Sequence, residues 1–316
     1  MSSKSQAASS SKLSAWIEAL RLRTLPLAAA GVILAAGIAL HAQSFKLSIF
    51  IPMLIMALLL QILSNFADEL GDLLNGVDDE DRLGPIRGLQ RGDISKKEMI
   101  AAVALSSILS NIAALVCLYA SFGTSSPGLF LGFFVLELIC IAAAILYTVG
   151  PKPYGYIGLG DLMCFLFFGI VAVLGGVYLY THSLNWSDLI AAIALGLPVI
   201  AVININNMRD AQTDKAKGKR SMANLLGDPA MRYYQLLLLC GSITLFLVFR
   251  YLVGDKNGGS SPWYAYFFIL AALIWLKTMP AVIKIKDPKI FDKLMKPTAG
   301  ATVLISLLLS LSLALF

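Results

Sequence analysis

The chain has 316 residues, of which 58% are hydrophobic and only 14% charged, with a net charge of +6; its mean hydropathy is +0.78. A soluble domain of this length does not carry so few charges, so soluble folds are excluded. The expectation is an all-α, polytopic membrane bundle, because a chain in lipid must satisfy its backbone polar groups internally.

Residues 1–14 are Ser-rich and polar, without an apolar core, which predicts a disordered tail in place of a signal peptide. The rest, 15–316, reads as one transmembrane domain with no room for a soluble one. Leu13, Trp16, Ile17 and Leu20 then fall at helical spacing between Lys12 and Arg21. They form either a short interfacial helix or the first turn of the first span.

Apolar runs long enough to cross a bilayer follow at 24–42, 47–67, 97–120, 128–149, 158–181, 188–207, 230–253, 262–281 and 297–315, so about nine spans are expected. At the end of the second comes Asn65-Phe-Ala-Asp68-Glu69-Leu-Gly-Asp72, and at the end of the sixth Asn207-Met-Arg-Asp210-Ala-Gln-Thr-Asp214. Both share the spacing N-x-x-D-x-x-x-D. On a helix the three positions lie on one face, so each copy presents an amide and two carboxylates as a stripe. The copies stand four spans apart, which divides the chain into two four-helix halves plus a ninth helix and points to a site between the halves.

The loop 73–96 carries Asp78, Asp79, Glu80 and Asp81, then Arg82, Arg87 and Arg91 among glycines, and reads as a structured cap. Lys152 is the one basic residue of the turn Gly150–Gly155. Glu137 lies near the centre of the fourth span, and the four cysteines fit no metal spacing.

Of the lysines and arginines, 22 fall in the N-terminal segment, in 68–97 and 208–232, which carry the acidic motifs, at Lys152 and in 277–296, against three on the other face (Lys46, Arg250, Lys256). The positive-inside rule places the N-terminus, both motifs and their loops in the cytoplasm. The net charge then needs no nucleic-acid partner, and nothing in the sequence requires a protein partner.

Five carboxylates gathered at the inner ends of two helices need cations. Hard oxygen ligands suit Mg²⁺, which often completes its shell with substrate phosphate oxygens. Arg82 and Arg87 have the forked geometry that fits non-bridging phosphate oxygens, and Lys152 is a third candidate. A cation- or proton-coupled transporter is the alternative from another class, but it needs polar groups near the bilayer midplane, where Glu137 stands without an apparent relay partner.

These residues carry a resemblance. Arg23-Thr-Leu-Pro26, Leu63-Ser-Asn65 through Asp72 to Asp81-Arg82-Leu-Gly-Pro-Ile-Arg87-Gly, Tyr147-Thr-Val-Gly-Pro-Lys152-Pro-Tyr154 through Asp161, and Asn204-Ile-Asn206-Asn207-Met-Arg209-Asp210 through Asp214 to Lys219 resemble the UbiA-type superfamily of intramembrane prenyltransferases. The wording is most similar to the branch that acts on 1,4-dihydroxy-2-naphthoate in menaquinone biosynthesis. Other acceptors of the same fold, 4-hydroxybenzoate, protohaem or a chlorophyllide, are the alternatives.

The resemblance implies a bacterial inner-membrane enzyme that joins a polyprenyl chain, delivered as its diphosphate, to an aromatic ring, with the tail lying among membrane lipid. It implies Mg²⁺ on Asp68, Asp72, Asp210 and Asp214, the diphosphate on Asn65, Arg82, Arg87, Lys152 and Asn207, and a substrate pocket with Arg23, Tyr147 and Tyr154. The superfamily usually has Asn-Asp where this chain has Asp68-Glu69, which leaves open which of the two is the ligand.

Overall fold

The computed structural model describes residues 11–77, 84, 86–255 and 259–316. Helix α1 is Lys12–Ala19, capped by the Ser11 hydroxyl, which accepts from the Ser14 amide at 3.2 Å. The polar segment 1–14 is therefore helical from Lys12 onward, and its residues 1–10 lie outside the described part. The chain turns at Arg21, a non-glycine residue at φ 50, before the first span begins. So α1 is a helix of its own and not the first turn of that span.

Next come α2 (Leu25–His41), α3 (Leu47–Leu74), the short α4 (Gly88–Arg91), α5 (Lys96–Phe122) and α6 (Pro127–Leu146). After them follow α7 (Gly160–Thr181), α8 (Trp186–Ala216), the short α9 (Met222–Leu226), α10 (Ala230–Val253), α11 (Trp263–Lys284) and α12 (Pro288–Leu315). Eight of these are long and apolar enough to cross a membrane, and α2 is a shorter apolar helix. The expectation of about nine spans is met among the described residues, and no strand occurs there.

α8 is the most enclosed span and packs against α7, α10 and α12. Leu34 of α2, Leu195 of α8, Phe246 of α10, Trp275 of α11 and Leu309 of α12 make the main core. α5 and α6 pack on α3 at the flank. Much of α6 faces outward: only Glu137, Ile141 and Ala143 are buried on it.

Length explains where the acidic stripes sit. At 1.5 Å per residue α3 and α8 run to about 42 and 46 Å, against a hydrocarbon core of about 30 Å. Their last turns, which carry the stripes, extend past the apolar layer. The sixth apolar run was expected to stop at 207; the helix continues to Ala216, which keeps Asn207, Asp210 and Asp214 on one helical face. Within α7, residues Phe165–Gly175 are wound as a π-helix, a wider winding that is rare and tends to occur at functional sites.

Candidate active site

The two stripes face one pocket. Asp68 and Asp72 from α3, and Asp210 and Asp214 from α8, line it together with Arg87, Asn206, Thr213, Lys217 and Lys219. Helical spacing puts each pair of carboxylates on one side, and the packing turns both sides toward each other.

The carboxylates are met by the chain's own cations. Arg21 pairs with Asp68, and Arg87 bridges the two residues of the first stripe, 3.3 Å from Asp68 and 3.4 Å from Asp72. Lys219 stands 3.8 Å from Asp72 and 5.1 Å from the centre of the Tyr156 ring. Tyr156 donates its hydroxyl to Asp72 at 2.6 Å. Burial alone would weaken the charge on Arg87, but Asp68 and Asp72 outweigh it and hold the guanidinium above its ordinary pKa. Lys219 is raised in the same way: burial lowers it, and Asp72, Asp214 and Asp68 more than compensate. Both side chains are thus fixed as cations that a phosphate can meet.

A second set of charges holds the other wall. Arg209, 2% exposed, reaches Asp210 at 2.6 Å and Asp292 at 2.7 Å, and donates to Asn206 at 2.8 Å. Asp292, at the start of the last span, also accepts from Arg23 at 3.0 Å. Nothing near Asp292 in sequence marks it, because its partners are 83 and 269 residues away.

The first stripe is seated by close backbone contacts. A Cβ on Gly71 would come within 2.5 Å of the Thr148 carbonyl, so only glycine lets α3 touch the loop after α6. The Thr148 hydroxyl donates to the Ala67 carbonyl at 2.9 Å, and the Asn75 amide to the Thr148 carbonyl at 2.9 Å. That loop is tied in turn to the segment after α8, where the Arg220 amide donates to the Tyr156 carbonyl at 2.8 Å. These ties hold Tyr156 and Lys219 against Asp72.

Beside the polar pocket a cavity of 760 Å³ runs into the bundle. Its polar end includes Arg21, Arg23, Asp68, Arg87, Asn207 and Lys219; its walls are residues such as Leu27, Met56, Ala144 and Phe168. Tyr147 and Tyr154 line it edge to face, ring centres 5.4 Å apart, with the Tyr154 hydroxyl donating to the Ala143 carbonyl at 2.6 Å. Cys117, Cys140 and Cys164 also line it, so three of the four cysteines face the cavity.

Most residues expected at the site meet there: Arg23, Asn65, Asp68, Asp72, Arg87, Tyr147, Tyr154, Asn207, Asp210 and Asp214 all line the pocket or the cavity. Asn65 is partly committed elsewhere, since its amide donates to the Leu20 carbonyl at 2.9 Å and its oxygen accepts from Gln61 at 3.1 Å. Lys152 is exposed and lines neither space. Arg82 lies outside the described residues. Glu69, 2% exposed, turns its carboxylate to the Leu89 amide at 2.9 Å and so anchors α4. Arg21, Tyr156, Arg209, Lys219 and Asp292 were not singled out from sequence. The hint available was that Tyr156, Arg209 and Lys219 stand inside the motifs.

The acidic residues suit a divalent cation. Among the described residues no three acidic groups converge closely enough to form a ready cage. Mg²⁺ does not require one: it keeps several waters and commonly binds through one or two carboxylates plus phosphate oxygens. Hard oxygen donors facing each other across a pocket that also holds Arg87 and Lys219 fit an ion that arrives with a diphosphate.

Two facing acidic helix ends, a set of cations and an apolar cavity suit an enzyme that holds an anionic group at one end and an apolar tail at the other. The chain belongs to the UbiA prenyltransferase family, whose profile matches residues 24–298. It is 38% identical over 305 residues, 96% of each chain, to the 1,4-dihydroxy-2-naphthoate octaprenyltransferase of Escherichia coli K12. To the protein of the same name from Haemophilus influenzae it is 36% identical, again over 96% of each chain. In structure it is similar to a UbiA homologue from Archaeoglobus fulgidus bound to DMAPP and Mg²⁺, with a TM-score of 0.57 at 16% identity over 92% of this chain and 98% of that one.

Proposed function

We propose that this multi-pass membrane protein transfers a polyprenyl group from its diphosphate to 1,4-dihydroxy-2-naphthoate. CO₂ and diphosphate are released and the demethylmenaquinone skeleton is formed. The observation that carries the reading is the joining of a two-stripe acidic pocket to an apolar cavity at a shared rim of Arg87, Lys219 and Asp68. The acceptor rests on the relatives at 38% and 36% identity.

The donor's diphosphate lies at the rim. Asp68, Asp72, Asp210 and Asp214 would hold Mg²⁺, which when bound neutralises charge on the leaving diphosphate. Arg87, Lys219 and Arg21 stabilise the same charge as it develops, and they are already oriented by their carboxylate partners. Asn207 reaches the cavity side of this rim, Asn65 helps shape it, and Arg82 would add a further cation. Lys219 takes the position that was expected of Lys152.

As the allylic C–O bond breaks, the diphosphate leaves with the electron pair. The electron-rich ring forms its bond to the allylic carbon, and loss of CO₂ restores its aromaticity. The apolar walls keep out water that would quench the cation, and the faces of Tyr147 and Tyr154 offer it cation–π stabilisation. Arg23, held by Asp292 at the cavity's edge, belongs to the substrate pocket.

Membranes containing the protein, supplied with Mg²⁺ and a labelled polyprenyl diphosphate, should make a lipid-soluble product with 1,4-dihydroxy-2-naphthoate and not with 4-hydroxybenzoate. The reverse selectivity would reassign the acceptor. The 22 to 3 charge split supports a site on the cytoplasmic face, and the bacterial relatives support an inner membrane. Cysteines introduced at the exposed Lys215 and Ser125, in a chain without its four native ones, should then label from opposite sides, position 215 from the cytoplasm. Labelling of both from one side would overturn this orientation.

A further inference from the structure

The cavity has a measurable depth. Along α6 it is lined in turn by Tyr147, Ala144, Cys140, Glu137 and Phe133, a 3-4-3-4 spacing that keeps one helical face against it for about 21 Å. On α3 the lining runs from Asp68 through Asn65, Gln61 and Ala57 to Met53, a similar length. Two helices thus give the same depth.

The end remote from the acidic stripes is closed by rings. Phe133 of α6 stacks on Tyr178 of α7, centres 5.6 Å apart and 17° from parallel. Phe122 of α5 leans on Phe133 at 5.5 Å, and His182 meets Phe122 and Tyr178 edge-on at 5.3 and 6.2 Å. Of these four, Phe133 lines the cavity. Beyond the cluster, α6 and α7 end within about two turns.

An allylic tail repeats every four carbons. With bonds of about 1.5 Å, an extended unit spans at most about 5 Å, so about four units fill the cavity before the tail meets Phe133. The deeper polar groups on this path already have partners: Gln61 donates to Asn65 at 3.1 Å, and the Glu137 carboxyl accepts from the Ser110 hydroxyl at 2.6 Å. The path therefore distinguishes tails by length and not by polarity.

We propose that the Phe133–Tyr178 pair is the gate of the tail channel. Donors of up to about four isoprene units lie wholly inside, and the fifth and later units leave between these rings toward lipid. This rests on the prenyl-transfer reading above, and it makes Phe133 a residue that sets donor-length specificity. Opening the gate breaks the stacking of one ring pair, a cost that a long apolar tail offsets by its own burial.

The test compares donors of two to eight isoprene units on the wild type, Phe133→Ala and Ala57→Phe. Ala57 lines the cavity 11 residues from Asp68 on α3, about 16 Å down the helix and so near the third unit. Phe133→Ala should raise kcat/KM for donors of five or more units by roughly tenfold relative to those of three or fewer. Ala57→Phe should depress donors of four or more units and spare those of two. The same breaks should appear in donor binding, read with Mg²⁺ and without any acceptor as the shift in thermal midpoint. This readout survives even if the acceptor has been misassigned. A fold defect would lower all lengths together. Uniform changes across lengths in both variants, in turnover and in binding, would overturn the gate.

Discussion

Asp72→Asn and Asp210→Asn should each lower turnover at least about a hundredfold while leaving a folded, membrane-inserted protein. Each stripe supplies two carboxylates to the shared pocket, and a diphosphate clamped from two sides loses its positioning when either side fails. Asparagine is the informative replacement at position 72. Alanine there would leave Arg87, Lys219 and the Tyr156 hydroxyl facing an empty space, whereas asparagine keeps the shape and an acceptor oxygen for them. The check is a turnover measurement with saturating Mg²⁺, paired with the thermal midpoint of the purified variant. Near-normal turnover in either folded variant sinks the two-stripe mechanism.

The second large effect separates two neighbours. Asp68 lines the shared pocket between Arg21 and Arg87, whereas Glu69 accepts from the Leu89 amide and holds α4. Asp68→Ala should therefore be severe in kcat. Asp68→Asn keeps one oxygen and should stay active with a higher Mg²⁺ requirement for half-maximal rate. Glu69→Ala strands a buried amide, which costs about 1–3 kcal/mol, so its loss should appear first in thermal stability and more mildly in turnover. Glu69→Gln, which retains an acceptor, should recover the stability. A severe kinetic loss in Glu69→Gln beside an indifferent Asp68→Ala would reverse the assignment.

The helical stripes were legible in the sequence because their spacing is local: Asn65, Asp68 and Asp72 fall on one face whatever else the chain does. Span number was legible for the same reason, since apolar length is a property of consecutive residues. The partners of the stripes were not. Lys219 reaches Asp72 across 147 positions of chain, and Asp292 joins Arg23 to Arg209 only because α12 packs between α2 and α8. Lys152 shows the opposite failure. A lone lysine in a motif-bearing turn reads as a ligand, yet the backbone ties through Thr148 and Tyr156 that fix the turn leave that side chain outside. The large cavity could be expected from the fold, but its depth depends on which face each helix turns inward.

The ion pairs of α1 bear on how the protein is handled at the bench. Lys12 meets Glu98, Glu18 meets Arg91 at 2.7 Å, and Arg21 beyond the helix meets Asp68; Asn65 also holds the Leu20 carbonyl. The helix is stapled beside the cavity, which it lines with Ser14, Ile17 and Glu18, by side chains, of which the exposed Lys12–Glu98 pair is the one most readily screened by salt. An expression vector that trims the chain to the start of the first span would discard Arg21 along with what looks like dispensable leader. A purification handle fused directly to Lys12 would press on the same staple. Placing the handle after Phe316, at the far end of α12, leaves the staple as the sequence builds it.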